Sequence, residues 1–206
     1  HMGVPHPKGK PTLKANRVPN DKEEWEEKYP DVPYEEYSAE NTDNRVYVYT
    51  YVSSFGSVKE ESAPSDPAEV VCDTVGGSVE ISGFVDPPTD HYNITAIRIY
   101  RAVTGASNVI YMLVDELELR NNKMPETGLS LNGIRWTNYT YTDTRTVAQL
   151  GKELDSTMYT EPPEGLRGLV SMPNGFLAGF ASNQIWFSEP YLPHAWPSTY
   201  MLTTDS

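Results

Sequence analysis

Four histidines, one cysteine and a few paired acids are the residues of this chain best suited to chemistry. Of His1, His6, His91 and His194, none lies at metal-ligand spacing from another histidine or from Cys72. His91 follows a Pro-Pro-Thr-Asp loop and His194 falls in a Pro/aromatic run, which gives both of them surface or packing roles. A reactive thiolate needs an electropositive neighbourhood, whereas Cys72 stands in a strand-like segment and reads as a small buried hydrophobe. Asp115 and Glu116 are adjacent on another such segment. Neighbours on a strand point to opposite faces, so this pair cannot flank a glycosidic bond; paired acids also stand at Glu35-Glu36. Asp86 and Asp90 share a loop without the dense alternating carboxylates of a dedicated calcium site. Asn93-Ile94-Thr95 and Asn138-Tyr139-Thr140 fit the glycosylation sequon, a pattern short enough to arise by chance. The nucleophile-elbow, phosphate-loop, dinucleotide and zincin motifs are absent. The expectation is a chain with no catalytic residue, no cofactor and no metal. Tyr191, Trp196 and Tyr200 remain as candidate aromatics, either a platform for stacking on sugar or packing residues; packing is the preferred reading.

The composition bounds what can hold these residues. The 206 residues give room for one or two small domains, and 17 prolines, 14 glycines and 14 tyrosines suit an all-β chain with many turns or a long irregular arm. Mean hydropathy is −0.54. Sixteen Lys and Arg against 29 Asp and Glu leave a net charge of −13, which repels phosphates and argues against nucleic acid or anionic membrane as a partner. A single cysteine allows no intrachain disulfide, and no apolar run approaches the length of a membrane span. His1-Met2 reads as a cloning remnant, and the chain as a whole reads as an excised fragment.

The elements follow from periodicity. Arg45 to Pro67 is the organising stretch. Tyr47, Tyr49 and Tyr51 alternate with Val46, Val48, Thr50 and Val52, which predicts a strand bulky on both faces and hence central. Ser53 to Gly56 reads as a turn, and a polar return leg ends where Pro64 and Pro67 stop the ladder. Residues 1–44 are punctuated by prolines and predict an extended acidic arm. Its one short helix would span Asp21 to Tyr29, capped by Asn20, with Trp25 and Tyr29 on one face. Further strands are expected at Ala68–Asp73, Ser78–Phe84, Asn93–Val103, Val109–Glu116 and Trp136–Asp143, and a short helix within Val147–Tyr159. A meander of three strands follows: Gly165–Ser171, Phe176–Ala181 after an Asn174-Gly175 hairpin signal, and Ile185–Ser188.

The first hairpin resembles the last two strands of a fibronectin type III domain, with Tyr47, Tyr49, Tyr51, Ser53 and Gly56 in the places of that family's Y-x-V-x-A-x-N-x-x-G. Ile94 to Arg101 resembles its strand C, and Tyr141-Thr142-Asp143 the residues leading into strand F. The order is unusual, because the two last strands come first and nothing like them follows Asp143. The resemblance therefore implies an all-β, immunoglobulin-like sandwich over 45–145 that is circularly permuted. Tyr47, Tyr49 and Tyr51 would meet Val79, Ile81, Ile97 and Ile99 across it. Where the family has a core tryptophan this chain has Gly83, a gap for Trp136 or a hairpin tyrosine to fill.

Residues 146–206, a linker and the β-meander, look like one incomplete blade of a β-propeller, which cannot bury both faces alone, so that more chain is expected beyond it. The run from Met172-Pro173-Asn174-Gly175 through Ser188-Glu189-Pro190 to Ala195-Trp196-Pro197 is similar to structural proteins of tailed bacteriophages and prophages, in which fibronectin-type modules join propeller-like repeats. That resemblance implies a non-enzymatic, tail-associated virion protein. Its partners would be other virion or tail proteins or further copies of itself, with no nucleic acid and no membrane. The competing expectation is a carbohydrate-binding or adhesion module of a secreted bacterial protein.

Overall fold

The computed structural model describes residues 3–16, 22–28, 30, 31, 33, 42–74, 76–88, 93–104, 109–118 and 139–204. Among the described residues the fold is all-β apart from one short α-helix, α1 (Lys22–Lys28), with Glu23 and Glu24 in its first turn and Lys22 paired to Glu26. Asn20 and Tyr29, expected at the ends of that helix, lie outside the described residues, as do Glu35, Glu36, Asp90, His91, Trp136 and Asn138.

The predicted central strand is β2 (Thr42–Phe55), longer at both ends than its alternation suggested. It turns at Gly56, which takes φ +62°, into β3 (Val58–Glu61). On its other side it pairs antiparallel with β6 (Ile94–Thr104), setting Tyr47 opposite Arg101, Tyr49 opposite Ile99 and Tyr51 opposite Ile97. β7 (Val109–Glu118) lies beyond β6. The return leg corrects one expectation. β4 (Ala68–Asp73) is not a separate first strand: it rejoins β2, with Ala68 opposite Tyr47 and Asp73 opposite Thr42. Between β3 and β4 the prolines interrupt the ladder, and Ser62 and Ser65 restore contact by donating backbone N–H bonds to the carbonyls of Tyr51 and Tyr49. β3 and β4 are thus one broken strand along a single edge of β2.

The second sheet holds β5 (Ser78–Ser82) between β8 (Tyr141–Asp143) and β1 (Thr12–Asn16). β1 is the second correction. Thr12–Asn16 comes from the segment expected as an extended arm, yet it is a strand of the sandwich, and Val4 ahead of it is buried in the core. A five-residue strand with only Leu13 and Ala15 turned inward is too short to stand out among flanking prolines.

The two sheets close on Tyr47, Tyr49, Tyr51, Val79, Ile81, Phe84, Ile97 and Ile99. Tyr49 meets Phe84 edge to face at 5.2 Å, and its hydroxyl accepts the backbone N–H of Val85 at 2.9 Å, while Tyr51 donates to the Val85 carbonyl. The neighbour of Gly83 is Thr12 of β1, and no hairpin tyrosine is placed against it. That glycine takes φ +68°, where a side chain would press on Thr12.

The outer face of the five-stranded sheet is covered too. In place of the expected short helix, residues 144–166 run as an extended strap with 3₁₀ turns at Val147–Gln149 and Ser156–Met158. The strap pairs with the free edge of β7 through Leu113 with Gly151 and Lys152 and through Tyr111 with Leu154, which shields that edge from a foreign strand. Leu154 then packs on Val48 and Tyr100. Ser156 and Tyr159 reach the break between β3 and β4, where Ser156 donates to the Ser62 carbonyl and Ala63 donates to that of Tyr159. Both faces of β2 are therefore buried.

The C-terminal meander has four strands rather than three: β9 (Arg167–Ser171), β10 (Leu177–Ala181), β11 (Gln184–Phe187) and β12 (Met201–Thr203), in that spatial order. Asn174 takes φ 71° in the β9–β10 turn, as its Asn-Gly dipeptide suggests.

Candidate functional site: the meander and its aromatic loop

The candidate aromatics occupy three different environments. The loop after β11 is folded on itself by bonds from the N–H of Glu189 to the Ala195 carbonyl and of Leu192 to that of Glu189. It drives Trp196 inward until none of its surface is exposed. The indole Nε1 donates to the Pro193 carbonyl at 3.0 Å. The Trp196 backbone exchanges bonds with Thr160 of the strap, its N–H donating to the Thr160 carbonyl and its carbonyl accepting from Thr160 Oγ1. Trp196 is the peg that fastens the meander to the strap. Beside it His194 is buried against Tyr159, edge to face at 6.0 Å, with Nδ1 3.5 Å from a carboxylate oxygen of Glu60 on β3. Burial pushes the His194 imidazole below its ordinary pKa, and Glu60 pulls the other way. His6 reaches the same strap, its backbone N–H donating to Glu161.

Tyr191 is the opposite case. It is 78 % exposed with φ 62°, a left-handed conformation that costs a bulky residue on the order of 1–3 kcal/mol, and its N–H donates to the Gly175 carbonyl at 2.7 Å. The ring lies over Gly175, where a side chain would collide with it. Tyr200, 43 % exposed, leads into β12. With Trp196 buried, the three rings form no shared stacking platform.

The surface these residues border was not legible as a site in the sequence. Cross-strand pairing sets Phe180, Ile185 and Leu202 in one row, and Val170, Ala178 and Phe187 in the next, on the same face of the meander. Val170, Phe180 and Leu202 each leave half or more of their surface in water. Leu169, on the opposite face against Gly179, is also half exposed. The two rows make one face of the meander apolar from β9 across to β12.

The remaining chemistry-bearing residues are spread through the sandwich. Cys72 is fully buried, with its thiol pushed up by burial while Arg45 acts against that. Asp115 pairs with Arg145, whereas Glu116 pairs with Lys59 and Arg98, so the two acids serve different clusters. Among the described residues no three His, Cys, Asp or Glu side chains gather as a metal site. Sequence reasoning also missed a cluster at one end of the sandwich. There Arg101 donates to Asp143 at 2.8 Å, and Arg45 and Arg145 stand beside it around a cavity. No run or motif links these three arginines in the chain; only the fold does. No protein-family profile matches the chain, and no curated protein matches it significantly.

Proposed function

We propose that this protein is a non-enzymatic structural component of a phage or prophage virion, tail-associated, which works by protein–protein contact. One observation carries the reading: the meander is pegged to the strap through Trp196 yet keeps Val170, Phe180 and Leu202 in water. A sheet so fixed and so apolar is built to receive another protein. The finer fold belongs to the same proposal. β2 and β3 stand for strands F and G of a fibronectin type III-like sandwich, β6 and β7 for C and C′, β5 and β8 for B and E. That is a circular permutation in which β1 takes the place of strand A beside β5. The four-stranded meander stands for one propeller-like blade, whose faces neighbouring blades or tail subunits would cover. The acidic surface of the chain favours a protein partner over nucleic acid. Antibody raised against the chain should label the tail region of virions purified from the source strain, whose flanking genes should encode portal, capsid or tail proteins. Particles that lack the chain would overturn the proposal.

The exposed, strained Tyr191 favours a second reading, a glycan-binding module of a secreted protein, since a fixed aromatic face can stack on a sugar ring. Binding to a glycan array that is lost in Tyr191→Ala would support it over the first.

A further inference from the structure

The cavity of about 370 Å³ at one end of the sandwich lies where β2 begins, where the β4–β5 connection crosses between the sheets, and where the chain leaves β8. Arg45, Arg101 and Arg145 line it, and among the described residues Asp43 is the one carboxylate in its wall. Arg101 is 3 % exposed and Arg45 9 %, so two of these guanidinium groups are held away from bulk water, with Arg145 at 37 % nearer the mouth. Arg101 has its counter-ion in Asp143, beneath the cavity, and Arg145 meets Asp115 at 3.3 Å. Arg45 is not matched in this way. Its nearest carboxylate, the half-exposed Asp43, stands 3.6 Å from Nε, and neither Nε nor Nη1 has a hydrogen-bond partner although both are buried. A buried guanidinium with unmet donors is costly unless something supplies charge and acceptors. The cavity has room for it, since a water takes about 30 Å³ of liquid.

We infer that this cavity binds an oxyanion, a carboxylate or a phosphate-like group, through Arg45, Arg101 and Arg145. Guanidinium groups match such groups in shape as well as charge. The adjoining wall is made by Thr74, Gly76 and Gly77 of the β4–β5 connection and by Thr144, Thr146 and Val147 after β8. Two sources could supply the ligand: a free inorganic anion, or an acidic side chain of a partner protein. The inference does not depend on the virion reading.

The test is thermal unfolding of the full chain in sodium phosphate and in sodium chloride at matched ionic strength, with acetyl-glutamate amide as a separate carboxylate probe. A specific site saturates, and at a hundredfold excess over Kd it should raise Tm by roughly 5–10 °C. Phosphate also stabilises proteins generally, so the deciding comparison is with Arg145→Gln, at the exposed mouth, and Arg45→Gln. Both should lose the saturable shift. Arg145→Gln keeps the test decisive if Arg45→Gln does not fold. A response to phosphate alone identifies a free anion as the source, and a response to the glutamate probe as well identifies a protein carboxylate. A shift that is equal in chloride, or unchanged in Arg145→Gln, overturns the inference.

Discussion

Tyr47 donates its phenolic hydrogen to Asp143 at 2.7 Å, joining two buried residues 96 positions apart and with them the two sheets of the sandwich. Asp143 is the hub of that end of the fold, since it also accepts from Arg101 Nη1 at 2.8 Å and from the Arg145 backbone N–H at 2.9 Å. Burial first, and then the Asp143 charge, push the Tyr47 hydroxyl far above its ordinary range, so it stays a donor at any physiological pH. Tyr47→Phe keeps the ring and removes one bond to a buried carboxylate. The expected cost is about 1–3 kcal/mol, read as a lower urea midpoint at unchanged m-value. An unchanged midpoint would show that Arg101 and the Arg145 N–H satisfy the carboxylate without the tyrosine.

Tyr49→Ala removes more, because that ring packs on Phe84 and its hydroxyl holds the Val85 N–H. The expected loss is about 3–5 kcal/mol, enough to unfold a domain of ordinary stability. Circular dichroism of the variant should show lost or sharply weakened cooperative unfolding. A loss below about 1 kcal/mol, the range of an ordinary surface change, would mean that the hairpin is not integral to the sandwich.

The sequence made the hairpin legible because one face of β2 is a period-two run of tyrosines, which fixes the face that is buried, whereas its place beside β6 was implied only by the resemblance to fibronectin type III strands F and C. It did not disclose β1, where two inward residues carry the whole signal, nor that Ala68–Asp73 would return to β2 rather than open a new sheet. That choice depends on the Ser62 and Ser65 bonds that bridge the proline break, which are tertiary facts. The aromatic loop was visible as composition. What composition could not convey is that Trp196 turns in and Tyr191 out, because the sense of a turn is set by backbone bonds such as Tyr191 to Gly175. The arginine cavity draws on separate stretches of chain and has no local signature at all.

Cys72 should be nearly inert in the folded chain. Its thiol is fully buried, and burial holds it in the neutral form that does not attack. A thiol reagent should modify it slowly in native buffer and promptly in denaturant. Equal rates would place the residue at the surface.

His194 gives the meander a pH dependence. Burial holds its pKa below the ordinary value of 6.5 even though Glu60 opposes the shift. Between the two values the unfolded chain binds more protons than the folded one, so stability rises with pH across that interval. The contribution is complete above about pH 6.5 and declines as pH falls below it. The measurement is chemical unfolding from about pH 7.5 to about pH 5, a span that brackets the imidazole titration, comparing the wild type with His194→Gln. The variant should show a flatter profile over that range. A wild type that gains stability on acidification relative to the variant would mean that pairing of the charged imidazole with Glu60 outweighs burial.

Phe180 separates a contact surface from a structural one. Its ring lies over Gly168, half in water, in the row it shares with Ile185 and Leu202. Full burial of such a side chain contributes roughly 1.5–3 kcal/mol, so Phe180→Ser should cost only about 1 kcal/mol of folding stability. Leu202→Ser, still more exposed at 59 %, should cost less. A surface that serves association responds differently, because truncating a central aromatic at an interface costs about 2 kcal/mol or more, roughly thirtyfold in affinity. The double variant should therefore unfold with a near-native midpoint. By sedimentation velocity the wild type is expected to associate as its concentration rises, and the double variant is expected to remain unassociated. If the double variant unfolds instead, the face supports the meander from within. If it stays folded and associates as the wild type does, the contact surface lies elsewhere on the chain.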